Sequence, residues 1–102
     1  MFFGWGCTSP QDATLACEVS CNVQKESCAA LDIEGCYDLC AYVVATIDNR
    51  PKCLRLATEQ WQCDLSREWE CSLEYDIVGE AKDTLCAQEI NAFIDAQCQE
   101  EM

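Results

Sequence analysis

The chain sets cysteines four and seven residues apart in CEVSCNVQKESC, Cys17 to Cys28, and repeats the four-residue step in CYDLC, Cys36 to Cys40. On an α-helix this spacing brings Cys17, Cys21 and Cys28 within about 40° of one another, so three sulfurs leave one helical face. Three chemistries use such a pattern: metal ligation, a redox or nucleophilic centre, and covalent staples between helices. Eleven cysteines in 102 residues, with no histidine, frame the choice. That density is the range of disulfide scaffolds and points to an oxidising compartment. The odd count leaves one sulfur without an internal partner.

The two C-x3-C pairs could supply the four ligands of a closed zinc site, yet the remaining cysteines would need a separate explanation. No metal site is assigned. Catalysis lacks its usual parts. Without histidine, Cys-His and Ser-His-Asp arrangements are excluded. C-x-x-C exchange motifs, glycine-rich phosphate loops and EF-hand loops are absent as well. Carboxylate pairs for acid–base work cannot be singled out among nineteen acidic residues. The expectation is a protein that is not an enzyme and takes no cofactor.

Staples fit the spacing. Two antiparallel helices, each with C-x3-C, join as Cys17–Cys40 and Cys21–Cys36, because four residues are one helical turn. A bridge closing ~15 residues contributes about 3 kcal/mol, and several rival the net stability of a domain whose core alone is marginal. Helix direction suggests Cys28–Cys63, Cys53–Cys98 and Cys71–Cys86 for the rest, leaving Cys7 unpaired or modified. Ten cysteines permit hundreds of connectivities, so others stay open.

Along the chain, Ser9 can cap a helix whose first position is Pro10 and whose first turn carries Asp12, in TSPQDATLACEVSCNVQKESCAALD. A second helix is expected after Asp32 through EGCYDLCAYVVATI, with Cys36, Cys40, Val43, Val44 and Ile47 on its apolar side. DNRP stops it, and Pro51 restarts a third in KCLRLATEQWQC, with Cys53, Leu56, Ala57, Gln60 and Cys63 facing the core. DLSREWECSLEY reads as a short fourth helical segment. Residues 76–83 read as a mobile loop hinged at Gly79. Asp83 or Thr84 then caps a last helix in LCAQEINAFIDAQC, with Cys86, Ile90, Phe93 and Gln97 on one side. No strand alternation is read anywhere. The predicted fold is a single domain over 1–102, an all-α, disulfide-stapled bundle of four to five short helices, with 1–8 an extended N-terminal segment.

Six basic residues against nineteen acidic ones give a formal charge of −13. That field repels nucleic acid and anionic membrane surfaces, and suits solubility or a basic partner. No run approaches the ~18 apolar residues of a membrane span. MFFGW is too short for the apolar region of a signal sequence, so a leader has been removed ahead of Met1 or export uses a route without one. Phe2, Phe3 and Trp5 form a candidate contact patch, while Trp61 and Trp69 read as packing residues. Tyr37, Tyr42 and Tyr75 read as rim residues.

Two resemblances bear on function. The C-x3-C pairs Cys17/Cys21 and Cys36/Cys40, with QWQCDLSREWEC and CAQEINAFIDAQC, resemble cysteine-rich exported proteins, often lipoproteins, of myxobacterial type. There WGCTSPQD looks like a lipoprotein leader junction, which implies a lipid anchor at Cys7 in a native form. The twin C-x3-C and the C-x9-C of CLRLATEQWQC are similar to helical hairpin proteins of the mitochondrial intermembrane space. Small acidic helical disulfide signals, such as ciliate pheromones, share the composition. The reading is a non-enzymatic extracytoplasmic module (periplasm, cell surface or secreted) for protein interaction or surface structure. Its alternatives are an intermembrane-space accessory subunit or assembly factor, and a small secreted signal.

Overall fold

The computed structural model describes residues 8–73 and 79–98. Cys7 and the patch Phe2, Phe3 and Trp5 lie outside them, as do Tyr75 and positions 76–78 of the expected loop. Helix α1 spans Pro10–Ser27 and opens as its sequence dictates. Ser9 Oγ accepts from the Asp12 amide at 3.0 Å, and the Asp12 carboxylate accepts from the Ser9 amide at 3.4 Å, a reciprocal cap on two orphan donors. Its last turn is closed by Lys25, whose ammonium donates to the carbonyls of Ala29 and Leu31.

Helix α2, Ile33–Ile47, is capped by Asp32, whose carboxylate accepts from the Gly35 amide at 3.1 Å. A Cβ on Gly35 would lie 2.6 Å from Asp32 Oδ2, so any larger residue there would displace the capping carboxylate. Helix α3, Pro51–Asp64, starts on Pro51, whose missing amide hydrogen costs nothing at that position. Its buried stripe is Cys53, Leu54, Ala57, Thr58 and Asp64, turned slightly from the expected face, so that Leu56 and Gln60 are only half-buried.

The fold is mostly helical rather than all-α, because the expected fourth helical segment is not a helix. After Asp64 the chain turns through three successive i→i+3 hydrogen bonds, from the amides of Leu65, Ser66 and Arg67. Strand β1, Trp69–Cys71, then pairs antiparallel with β2, Gly79–Ala81, in the register Trp69↔Ala81, Glu70↔Glu80, Cys71↔Gly79. Tertiary bonds override helix propensity here. The Glu68 amide donates to Asp83, and the Lys82 amide to the Glu68 carbonyl. Gly79–Ala81 is therefore a strand inside the stretch expected to lack regular structure. Helix α4 runs Ala87–Asp95 with Cys86 at its N-cap, so neither Asp83 nor Thr84 caps it.

Five disulfides join these elements: Cys17–Cys40, Cys21–Cys36, Cys28–Cys71, Cys53–Cys98 and Cys63–Cys86. The expected Cys28–Cys63 and Cys71–Cys86 are exchanged for Cys28–Cys71 and Cys63–Cys86. The reason is the β-ribbon, which carries Cys71 back to the end of α1 and leaves Cys63 beside the start of α4. Two nested hairpins result. α1 and α2 share the bridges of the C-x3-C pairs, and α3 and α4 share Cys53–Cys98 around Cys63–Cys86.

Helix α1 packs on α2 and α3, and α3 packs on α4. One core cluster gathers Ala13, Val44, Ile47, Cys53, Leu54, Ala57 and Cys98; another gathers Cys17, Cys21 and Cys40. Trp61 packs against both. Apart from Ile47, the bulkiest fully buried side chains are Cys21, Cys28, Cys40 and Cys86. Sulfur occupies positions that aliphatic side chains fill in larger domains.

Candidate functional site

The nested α1/α2 bridges stack side by side, with Cys21 Sγ 3.6 Å from Cys40 Sγ. Beside them opens a cavity of about 290 Å³. Its apolar wall is made of the two bridges, Leu31, Leu39 and Trp61, and Gly79 of β2 closes one end. Gly79 allows a close approach there: a Cβ would lie 2.5 Å from Gln24 Oε1 and 3.2 Å from Gln24 Cβ, so a larger residue would displace the Gln24 side chain.

The polar part of the lining comes from Ser20 and Gln24 on α1, Asp32 at the start of α2, and Asp64 at the end of α3. Asp64 is buried, at 6 % exposure. Ser20 Oγ donates to Asp64 Oδ2 at 3.1 Å and accepts from Gln24 Nε2 at 3.0 Å. Arg67 approaches Asp64 Oδ1 only to 3.7 Å, beyond a hydrogen bond. The guanidinium is committed elsewhere: Nε donates to Asp83 Oδ1 at 2.9 Å and Nη2 to the Asp83 carbonyl at 2.6 Å. It also lies 5.5 Å from the centroid of the Trp69 ring, within cation–π range.

Burial pushes the Asp64 carboxyl above the usual carboxylate range, against the opposing effects of the Ser20 hydrogen bond and Arg67. Asp83 goes the other way. The Glu68 amide is the largest cause holding its carboxyl below that range, with the Leu85 amide and Arg67 adding to it. Asp83 thus pins the Glu68 and Leu85 amides together, closing the ribbon against the start of α4.

Two groups of potential metal-ligand atoms converge among the described residues: Cys17, Cys21 and Cys40, and Cys63, Cys86 and Glu89. All five cysteines are in disulfides, whereas the ligating form of cysteine is the thiolate. Glu89 Oε1 is buried without a hydrogen-bond partner among the described residues, beside the Cys63–Cys86 bridge.

Of the aromatic residues singled out in the sequence, Trp61 both packs in the core and lines the cleft. Trp69 Nε1 donates to the Asp64 carbonyl at 3.0 Å, fixing the turn after α3. The Tyr37 hydroxyl donates to Asn22, tying α2 to α1 across the surface, and Tyr42 is 55 % exposed. Sequence reasoning missed Ser20, Gln24, Asp32 and Asp64 as cleft residues. The signal present was positional. Ser20 and Gln24 fall on the cysteine stripe of α1, and Asp64 continues the stripe Cys53, Ala57, Trp61 of α3.

Among the described residues no helix is long and apolar enough to cross a membrane. No protein-family model matches the sequence, and no curated protein or solved structure matches the chain.

Proposed function

We propose that this chain is a non-enzymatic, extracytoplasmic interaction module that presents a preformed cleft to a protein partner. The observation that carries this reading is the placement of the cleft against two stacked disulfides. Its α1 and α2 walls are cross-linked twice, one helical turn apart, so little conformational entropy is lost when a partner seats there. Leu39 stands at the cleft 60 % exposed, an apolar contact at its mouth. Five bridges fit an oxidising setting, such as the periplasm, the cell surface or secreted medium.

The nested pairing of both hairpins supports a second reading, an accessory subunit or assembly factor of the intermembrane space. In each hairpin the outer cysteines pair with one another and the inner ones likewise, the arrangement that the C-x3-C and C-x9-C spacings suggest.

A photo-crosslinking residue at position 39, in the chain expressed in its native cell, tests the module reading. The expected result is one discrete adduct from position 39 and none from position 15, an exposed leucine outside the cleft lining. Equal, diffuse labelling from both positions would remove the basis for the reading.

A further inference from the structure

We infer that the cleft is a receptor for an alkylammonium group, presented by the partner as a lysine side chain. This rests on the interaction reading and specifies its chemistry. The first support is a buried carboxylate with spare acceptor capacity beside the cavity. An ionised Asp side chain can accept roughly four hydrogen bonds. Among the described residues buried Asp64 accepts one, from Ser20, and pairs with the Arg67 guanidinium only at 3.7 Å. Buried carboxylates are costly without further partners, so a donor arriving through the cleft supplies what the fold withholds.

The second support is the sign and geometry of the remaining lining. Among the described residues no lysine or arginine lines the cleft, whereas Asp32 and Asp64 both do. The nearby Lys25 ammonium is held by the Ala29 and Leu31 carbonyls. The Ser20 hydroxyl proton and one Gln24 amide proton are used within the wall, so the cleft offers mostly acceptors. An ammonium brings three donors and no acceptor. The Trp61 indole and the disulfide sulfurs suit a methylene stem, and an indole beside carboxylates is a favourable environment for a cation. A net charge of −13 draws a basic partner toward this surface from a distance.

The test is titration of the intact, oxidised, isotope-labelled protein with n-butylammonium and with a short lysine-containing peptide, read by amide and indole NMR shifts. The expected result is saturable shifts at Gly35, Gly79 and the Trp61 indole with both probes. n-Pentanol, of similar shape without charge, should bind at least tenfold more weakly. Asp64→Asn should weaken the peptide at least tenfold. Because Asp64 also holds Ser20, Leu39→Lys provides a second variant at an exposed position. Its own ammonium should occupy the cleft and abolish peptide binding while the amide spectrum elsewhere stays unchanged. Equal affinity for pentanol, unaltered binding by Asp64→Asn and Leu39→Lys, or shifts scattered over the acidic surface would overturn the inference. The position-39 adduct would still stand in that case, so the two readings fail separately.

Discussion

Deleting Cys53–Cys98 and deleting Cys21–Cys36 should have unequal costs, although each removes one bridge between two helices. Cys53–Cys98 spans 45 residues. With Cys63–Cys86 intact, the covalent detour between its ends is shorter: ten residues from Cys53 to Cys63 and twelve from Cys86 to Cys98. Closing a loop of roughly 22 residues contributes about 3.5 kcal/mol in the chain-entropy treatment. Losing two buried sulfurs adds roughly 1 kcal/mol. Cys21–Cys36 lies inside Cys17–Cys40, which already holds its ends four residues away on either side. The same treatment, for a detour of about eight residues, leaves the inner bridge about 2.5 kcal/mol, and the loss of buried sulfur is smaller because only Cys21 of this pair is buried. The paired alanine variants Cys53→Ala/Cys98→Ala and Cys21→Ala/Cys36→Ala should therefore differ by about 1 kcal/mol, the former being less stable. The assay is guanidinium unfolding without reductant, followed by far-ultraviolet circular dichroism. The m-value should rise more for Cys53→Ala/Cys98→Ala, because a less constrained unfolded chain exposes more surface. A Cys21/Cys36 deletion costing as much as the Cys53/Cys98 deletion would refute the reasoning, since the nesting would then not restrict the unfolded chain.

Gly35→Ala should bring none of the ~1 kcal/mol that replacing a helical glycine usually gives, because its Cβ would collide with Asp32 Oδ2 and displace the α2 cap; thermal melts of both proteins check this. Gln97 sits at φ 59° just past α4, with the Cys98 amide donating back to the Phe93 carbonyl. Gln97→Gly should stabilise by about 0.5–1 kcal/mol in urea unfolding, and destabilisation would contradict the assigned cap. Asp64 has a native pKa above its unfolded value, with Ser20 and Gln24 on α1, Asp32 across the cleft, and Arg67 and Asp83 around it. Its favourable contribution is full below the unfolded value and lost as pH rises through the native one. Wild type should thus lose stability relative to Asp64→Asn as pH is raised from acid to neutral, and a widening gap in the opposite sense would refute the burial cause.

The α1/α2 bridges were legible because two constraints coincide there. A one-turn cysteine step on each helix and a short connection leave a single nested antiparallel pairing. Cys53–Cys98 followed from helix direction alone. Cys28, Cys63, Cys71 and Cys86 were not legible once DLSREWECSLEY was read as helix. Trp69, Glu70 and Cys71 do alternate in burial as a strand does, but three residues are too few to outweigh their helical surroundings. What turns them is non-local: Asp83 gathering the Arg67 side chain and the Glu68 amide from across the ribbon. The cleft was hidden for a related reason. Asp64 is one of nineteen acidic residues, and only packing by α1 and the α2 start distinguishes it from a solvated carboxylate. Trp61 was read as a packing residue, and its second role depends on a cavity formed by three helices at once.

The central claim is that these five particular bridges set the fold. Peptide mapping of the oxidised protein by mass spectrometry, with no reduction step, tests it most directly. The expected result includes cross-linked peptides joining Cys28 to Cys71 and Cys63 to Cys86. Peptides joining Cys28 to Cys63 and Cys71 to Cys86, or alkylation of these four sulfurs before reduction, would contradict it.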